Sequence, residues 1–224
     1  MIKVVLFDCD STLSAVEGIN LLARRAGMEA AIAPLTRAAM DGRLPLEEVY
    51  RRRLALIRPR REDVDWLGAQ YIAGIVPGAV EVVAALQQSG RTVHIVSGGL
   101  KPAVLALAGR FGVPAAQVHA VDVFFDDAGN YAGFDESSPL AGSGGKAEIC
   151  RRLKLKPGEA VLVGDGATDL EAAHAGVTVI GFGGVARREA MVRRADAYIE
   201  GPSLLPVLNV ILTPRERGNI RTGE

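Results

Sequence analysis

Val4-Val5-Leu6-Phe7-Asp8-Cys9-Asp10 carries the decisive reading of this chain. Four apolar, partly β-branched residues without polar alternation describe a strand buried on both faces, as inside a parallel sheet. Two carboxylates follow at alternating positions. An extended chain points residues two apart to one side, so Asp8 and Asp10 would share a site at the carboxyl edge of the sheet. There one carboxylate can attack an electrophile while the other moves a proton. A solvated turn also accounts for an isolated Asp-x-Asp, so the rest of the chain must decide.

Similar runs recur at residues 93–96, 161–163 and 177–180, each followed by polar or glycine-rich sequence. Helical patterns at 79–88, 102–111, 146–153 and 170–175 alternate with them, which predicts an α/β fold with a doubly wound parallel sheet. Residues 17–67 are different: helical periodicity holds almost throughout, with breaks expected at Gly27, Pro34, Asp41-Gly42, Pro45 and Pro59. A crossover needs about a dozen residues, so the surplus predicts an inserted helical cap over the strand ends. The expected division is a core of residues 1–14 and 76–224 and a cap of residues 15–75. Apolar flanks around Asp126-Asp127-Ala128-Gly129-Asn130 predict a β-hairpin flap within residues 121–134. The polar tail, residues 214–224, is expected to be mobile.

Lysine plus arginine number 26 and aspartate plus glutamate also 26, so no net field recommends nucleic acid or an anionic membrane as partner. A charged ligand must be held locally. Cys9 and Cys150 make no disulfide framework, and no apolar stretch approaches the roughly 20 residues needed to span a bilayer. A cytoplasmic protein is expected, monomer or homodimer.

A second acidic cluster, Gly164-Asp165-Gly166-Ala167-Thr168-Asp169, again follows an apolar run and enters a helix. Asp8 and Asp165, with a backbone carbonyl and waters, would form the oxygen shell that magnesium prefers. Asp169, one turn past Asp165, would support the cluster from behind or simply place a favourable charge in a first helical turn. Ser97-Gly98-Gly99 offers a hydroxyl and free amides to a phosphate, or merely a tight connection. Lys146, after Ser143-Gly144-Gly145, starts a helix, where a cation gains nothing from the dipole. It therefore suits an anion partner, or is a bland surface lysine.

Taken in order, several stretches resemble the haloacid dehalogenase superfamily of phosphatases over nearly the whole chain, and within it the branch acting on O-phospho-L-serine. They are Asp8-Cys9-Asp10-Ser11-Thr12 with Glu17, Ala39-Met40 through Arg53-Leu54-Ala55-Leu56-Ile57, and Ser97-Gly98-Gly99. Tyr131-Ala132-Gly133-Phe134-Asp135-Glu136, Ser143-Gly144-Gly145-Lys146, residues 165–169 and Ile180-Gly181-Phe182-Gly183-Gly184 complete the set. The resemblance implies a magnesium-dependent, cytoplasmic enzyme of serine biosynthesis that works through an aspartyl-phosphate on Asp8, with Asp10 as acid and base. It assigns magnesium to Asp8, the Asp10 carbonyl and Asp165, with Asp169 behind them. Ser97 and Lys146 would neutralise the phosphoryl group, supported by Gly98, Gly99 and Thr168. Glu17 would read the substrate's ammonium, Arg53 its carboxylate, and Met40 would wall the pocket.

Read without the resemblance, Arg51-Arg52-Arg53 is a solvated helix face and Glu17 an ordinary first-turn acid. The chain also departs from the family. Cys9 replaces a larger apolar residue, Leu46 the usual pocket phenylalanine, Asp41 a glycine and Asn20 an acid, and Val121-Asp122 stands where an asparagine and a basic residue are usual. These changes leave open a sibling activity, either on another small phosphomonoester or as a transferase passing phosphate from Asp8 to homoserine.

A reading from a different class comes from Gly181-Phe182-Gly183-Gly184-Val185-Ala186, which fits a dinucleotide-binding fingerprint and has Glu200 downstream. A serine hydrolase elbow fails at Ile95, and a P-loop fails at Ala147. His94, His119 and His174 lack metal-ligand spacing.

Overall fold

The computed structural model describes residues 1–40, 44–156 and 158–218, with the backbone alone of Thr36, Ala39 and Met40. Strand β1 (Val4–Phe7) stands where the opening run predicts, and Val5, Leu6 and Phe7 are fully buried. The chain then leaves the sheet for α1 (Gly18–Arg25), α2 (Glu29–Met40), α3 (Leu46–Ile57) and α4 (Arg61–Ala73). It returns through α5 (Ala79–Gln88), β2 (Thr92–Leu100), α6 (Lys101–Arg110) and β3 (Val118–Val121). A hairpin of β4 (Val123–Phe125) and β5 (Tyr131–Phe134) intervenes before α7 (Gly145–Arg152). Then come β6 (Ala160–Gly164), α8 (Ala167–Leu170) and β7 (Thr178–Phe182). Last are α9 (Glu189–Arg194), β8 (Ala197–Ile199), α10 (Val207–Ile211) and α11 (Pro214–Gly218).

The main sheet runs β3-β2-β1-β6-β7-β8, and every pairing in it is parallel. Winding reverses at β1: the chain builds outward through β2 and β3 on one side and through β6, β7 and β8 on the other. An open α/β sheet leaves a crevice at the carboxyl ends beside such a switch point. Here that crevice lies at the ends of β1, β2 and β6.

The helical excursion departs and returns through adjacent chain. Ala15 N–H donates to the Gly74 carbonyl at 2.8 Å and Val76 N–H to that of Leu13 at 3.0 Å, while Ser14 Oγ donates to the Tyr71 carbonyl at 2.9 Å. Helix α4 packs broadly on α6, burying Val64 and Leu67, each worth about 1.5–3 kcal/mol of apolar burial. Gly68 permits this approach, since a Cβ there would come within 2.9 Å of the Ala106 Cβ.

The hairpin forms where its turn signal lies. Gly129 takes φ +79°, a conformation that favours glycine, and Asp126 Oδ1 accepts the Asn130 N–H at 2.8 Å. The hairpin also touches the cap, which the sequence did not suggest. Arg61 N–H donates to the Gly129 carbonyl at 2.9 Å, and the Arg61 guanidinium lies 4.8 Å from the centre of the Phe125 ring. At its base Lys101 pairs with Asp122 at 3.1 Å, which gives the unusual acid at that position a partner.

Two expectations are corrected. Pro34 does not break the helix but sits inside α2. Pro34 and Ala30 are both exposed, so the Ala30 carbonyl deprived of its N–H partner faces water, and the usual penalty is softened. The tail is not wholly loose either. Residues 214–218 form α11, pinned by the Glu216 carboxylate on Arg91 at 2.5 Å; residues 219–224 lie outside the described residues, as does Asp41.

Candidate active site

The end of β1 delivers Asp8 and Asp10 to one cavity of about 410 Å³ at the sheet's switch point. Asp8 Oδ1 accepts the Cys9 N–H at 2.8 Å and faces Lys146 Nζ at 2.9 Å. Burial pushes the Asp8 carboxyl well above its ordinary range; Lys146 opposes this, and Asp169 and Asp165 add to it. The chain turns sharply at Ser11, a non-glycine residue at φ +55°, conformational strain of the sort that clusters at functional sites. Asp10 is only partly covered as a residue, but its Oδ1 is fully buried. That burial raises its carboxyl to about 7, against the pull of the Tyr71 hydroxyl. Asp10 Oδ2 accepts the N–H of Gly18, the first residue of α1, at 3.1 Å.

Beside them, β6 ends on Gly164 and delivers Asp165 and Asp169. One oxygen from each of Asp8, Asp165 and Asp169 lies within 4.8 Å of the others. Asp169 is fully committed: Oδ1 takes Lys146 Nζ at 2.5 Å and Oδ2 takes the Gly166 N–H at 2.9 Å. Both of its oxygens thus have partners within the protein. Gly164 is required here because a Cβ would fall inside the Asp169 carboxylate. Asp165 is raised to about 6 by burial, against the pull of Arg188.

The donor set suits a hard divalent cation. It is all oxygen, it is buried, and its carboxylates outnumber the cations among them; such a cation takes carboxylate, carbonyl and water oxygens. Asp8 Oδ2 and Asp165 Oδ1 stand outside the hydrogen bonds described above. Burial first, and then the neighbouring carboxylates, raise Asp8 and Asp165, and a bound cation would oppose both effects.

Ser97-Gly98-Gly99 is not a turn after a finished strand. Strand β2 continues through it to Leu100, with a register shift against β3 between Val96 and Leu100. Ser97 is buried, and its Oγ accepts the Gly99 N–H at 3.0 Å. A side chain would be tight at both glycines: a Cβ at Gly98 would meet the Leu140 carbonyl at 3.2 Å, and one at Gly99 would meet Tyr71 and Ser97 at the same distance.

From the helical segment, Glu17, Leu46, Tyr50 and Arg53 line the same cavity, and Thr168 borders it opposite. Burial pulls the Arg53 guanidinium down while Glu17 pulls it back up, so the two opposite charges sense each other across the pocket. Met40 ends α2, but its side chain lies outside the described residues.

Arg188 and Tyr50 were not singled out in the sequence. Arg188 Nε donates to Asp165 Oδ2 at 2.7 Å, and its other arm reaches Glu17 Oε1 at 3.0 Å. The same Glu17 oxygen accepts the Ser11 hydroxyl at 2.7 Å. The signal available was positional: Arg188 follows the carboxyl end of β7. It was obscured by the exposed Arg187 beside it.

The dinucleotide reading fails on geometry. Its fingerprint needs a helix opening directly from the strand, whereas residues 183–188 are non-helical before α9. The glycines serve packing instead. A Cβ at Gly181 or Gly183 would strike the Tyr198 ring, and one at Gly184 the Phe182 ring.

The chain is similar to several known proteins. The family model for haloacid dehalogenase-like hydrolases matches residues 2–176. The phosphoserine phosphatase of Mus musculus is 42% identical over 197 residues, covering 87% of this chain and 88% of its own. A solved phospho-aspartyl intermediate analogue of phosphoserine phosphatase superposes with a TM-score of 0.76 at 30% identity, over 93% of this chain and 98% of its own. A substrate-bound phosphoserine phosphatase complex gives 0.78 at 28% identity, over 94% and 98%. The chain belongs to the haloacid dehalogenase-like hydrolases and, within them, groups with the phosphoserine phosphatases.

Proposed function

We propose that the protein hydrolyses O-phospho-L-serine to L-serine and phosphate, closing serine biosynthesis in a reducing cytoplasm. The observation that carries this reading is the pairing within one cavity of Asp8 against Lys146 with the opposite charges Glu17 and Arg53. Residues 15–75 act as the cap that supplies those two charges. The free, buried thiols of Cys9 and Cys150 suit such a compartment, and no described helix is long and apolar enough to cross a membrane.

A carboxylate oxygen of Asp8 attacks phosphorus, the bond from phosphorus to the serine oxygen breaks, and Asp10 protonates the departing alkoxide. Asp10 then takes a proton from water as that water attacks the aspartyl-phosphate, releasing phosphate and restoring Asp8. A carboxyl raised to about 7 serves both duties near neutral pH. Lys146, the Ser97 hydroxyl and the Gly98 amide offset the negative charge spread over the equatorial oxygens, while the Gly99 N–H holds Ser97 Oγ, with Thr168 at the rim. Magnesium held by Asp8, the Asp10 carbonyl and Asp165 would neutralise phosphoryl charge and fix the orientation of the phosphate.

Substrate choice rests on the cap. Arg53 presents a planar fork that matches a carboxylate. Glu17 commits Oε1 to Ser11 and Arg188 and offers its second oxygen to the ammonium. Met40 is assigned to the pocket wall. The test is phosphate release from O-phospho-L-serine beside a panel of small phosphomonoesters, with magnesium present. Strong preference for phosphoserine is expected; equal or faster turnover of another ester overturns the assignment.

A further inference from the structure

Tyr50 stands on α3 one turn after Leu46 and three residues before Arg53, so all three fall on the helix face that lines the cavity. Its hydroxyl donates to the Gly98 carbonyl at 2.9 Å. Its ring packs against Phe134 of the hairpin, with centroids 5.1 Å apart and planes inclined at 56°. One cap residue thus touches both the end of β2 and the hairpin. Burial pushes the Tyr50 hydroxyl further above its ordinary range, with Tyr131 and Asp10 adding to the effect, so it remains a donor throughout the working range of pH.

The Gly98 carbonyl and the Gly99 N–H belong to a single planar peptide unit. Its carbonyl is held by Tyr50 and its N–H by Ser97 Oγ at 3.0 Å. With glycine on both sides, such a peptide rotates more freely than any other, because neither Cα carries a side chain to resist it. Rotation would break both bonds and exchange an N–H for a carbonyl beside the phosphoryl site. Ser97, having accepted the Gly99 N–H, keeps its own O–H as a donor for an anion. What holds the Gly98 carbonyl therefore also sets how Ser97 is presented.

We propose that Tyr50 is a positioning residue that couples the seating of the cap to the phosphate cradle, fixing the Gly98–Gly99 peptide and through it the Ser97 hydroxyl. This rests on the phosphoryl-transfer reading of the site. Tyr50 acts on the phosphoryl end of the substrate, so its effect is shared by every phosphomonoester, unlike that of Arg53.

The test is Tyr50→Phe, which keeps the ring on Phe134 and removes only the hydroxyl. Loss of one hydrogen bond corresponds to about a tenfold effect. The inhibition constant of inorganic phosphate is expected to rise by about that factor. kcat/KM is expected to fall by a similar factor for both O-phospho-L-serine and p-nitrophenyl phosphate, with the melting temperature held. Binding of inorganic phosphate to the resting protein, measured by calorimetry, separates this proposal from the reading beneath it. Wild-type protein that binds no phosphate and turns over no ester overturns both. Intact wild-type binding with an unaffected Tyr50→Phe variant overturns the role of Tyr50 alone, as does a loss confined to phosphoserine.

Discussion

Lys146 and Asp169 meet at 2.5 Å with side chains only 6% and 0% exposed, and the same ammonium reaches Asp8 at 2.9 Å. Burial alone would push the lysine down; Asp169 and Asp8 outweigh it and hold its ammonium above the ordinary range. Removing one partner from such a group leaves buried charge uncompensated, a loss of about 3–5 kcal/mol. Lys146→Met is therefore expected to lower the urea midpoint markedly and to reduce phosphate release by at least about a hundredfold, the effect of losing one charge-stabilising donor. A variant that stays fully stable and active would show that Lys146 neither holds the carboxylates nor serves the phosphoryl group.

Metal removal should separate activity from stability. Lys146 and Arg188 pair with Asp8, Asp169 and Asp165 within the protein itself and offset two of their three charges. Chelation is expected to abolish turnover, with recovery on adding magnesium. The melting temperature should fall by only a few degrees, about what 1 kcal/mol accounts for in a domain of this size. A collapse of the fold on chelation would mean that the ion, and not these two side chains, neutralises the cluster.

Arg53→Ala tests the cap's role in choosing substrate. A fork bonding a carboxylate contributes about 1.5–3 kcal/mol, so KM for phosphoserine is expected to rise about 10- to 100-fold. p-Nitrophenyl phosphate, which has no carboxylate, should be little affected. Equal effects on both esters would remove Arg53 from substrate recognition.

How much of this was legible depended on whether a feature is local. Strands β1, β2, β6 and β7 announce themselves as apolar runs because a parallel strand is buried on both faces. Strand β3, interrupted by the half-buried His119, and the three-residue β8 carry too little pattern to stand out. Asp8, Asp10 and Asp165 were readable because each lies within three residues of the end of such a run. Arg188 and Tyr50 were not, since their importance lies in contacts across more than twenty residues of sequence: Arg188 with Asp165 and Glu17, Tyr50 with Gly98. Pro34 shows the converse, a strong local signal overridden where the damaged helical bond lies at the solvent face.

His94 and His119, on adjacent strands, place Nδ1 and Nε2 3.0 Å apart with rings nearly parallel at 16°. One nitrogen must donate and the other accept, so the contact fails when both rings are charged. Burial, then His119, lowers His94 to about 4, and burial, then Lys101, lowers His119. The unfolded chain takes up these protons near pH 6.5 whereas the folded chain resists until lower pH. The stability they contribute is thus complete above about 6.5 and declines as pH falls toward 4. Asp10 and Asp165, raised to about 7 and about 6, work in the opposite sense, since their folded forms bind protons more readily than the unfolded chain does. Only a difference between proteins isolates the histidines. Urea midpoints at pH 7.5 and pH 5 should fall less for His94→Gln, which cannot charge, than for the wild type. Equal falls would place the acid sensitivity elsewhere.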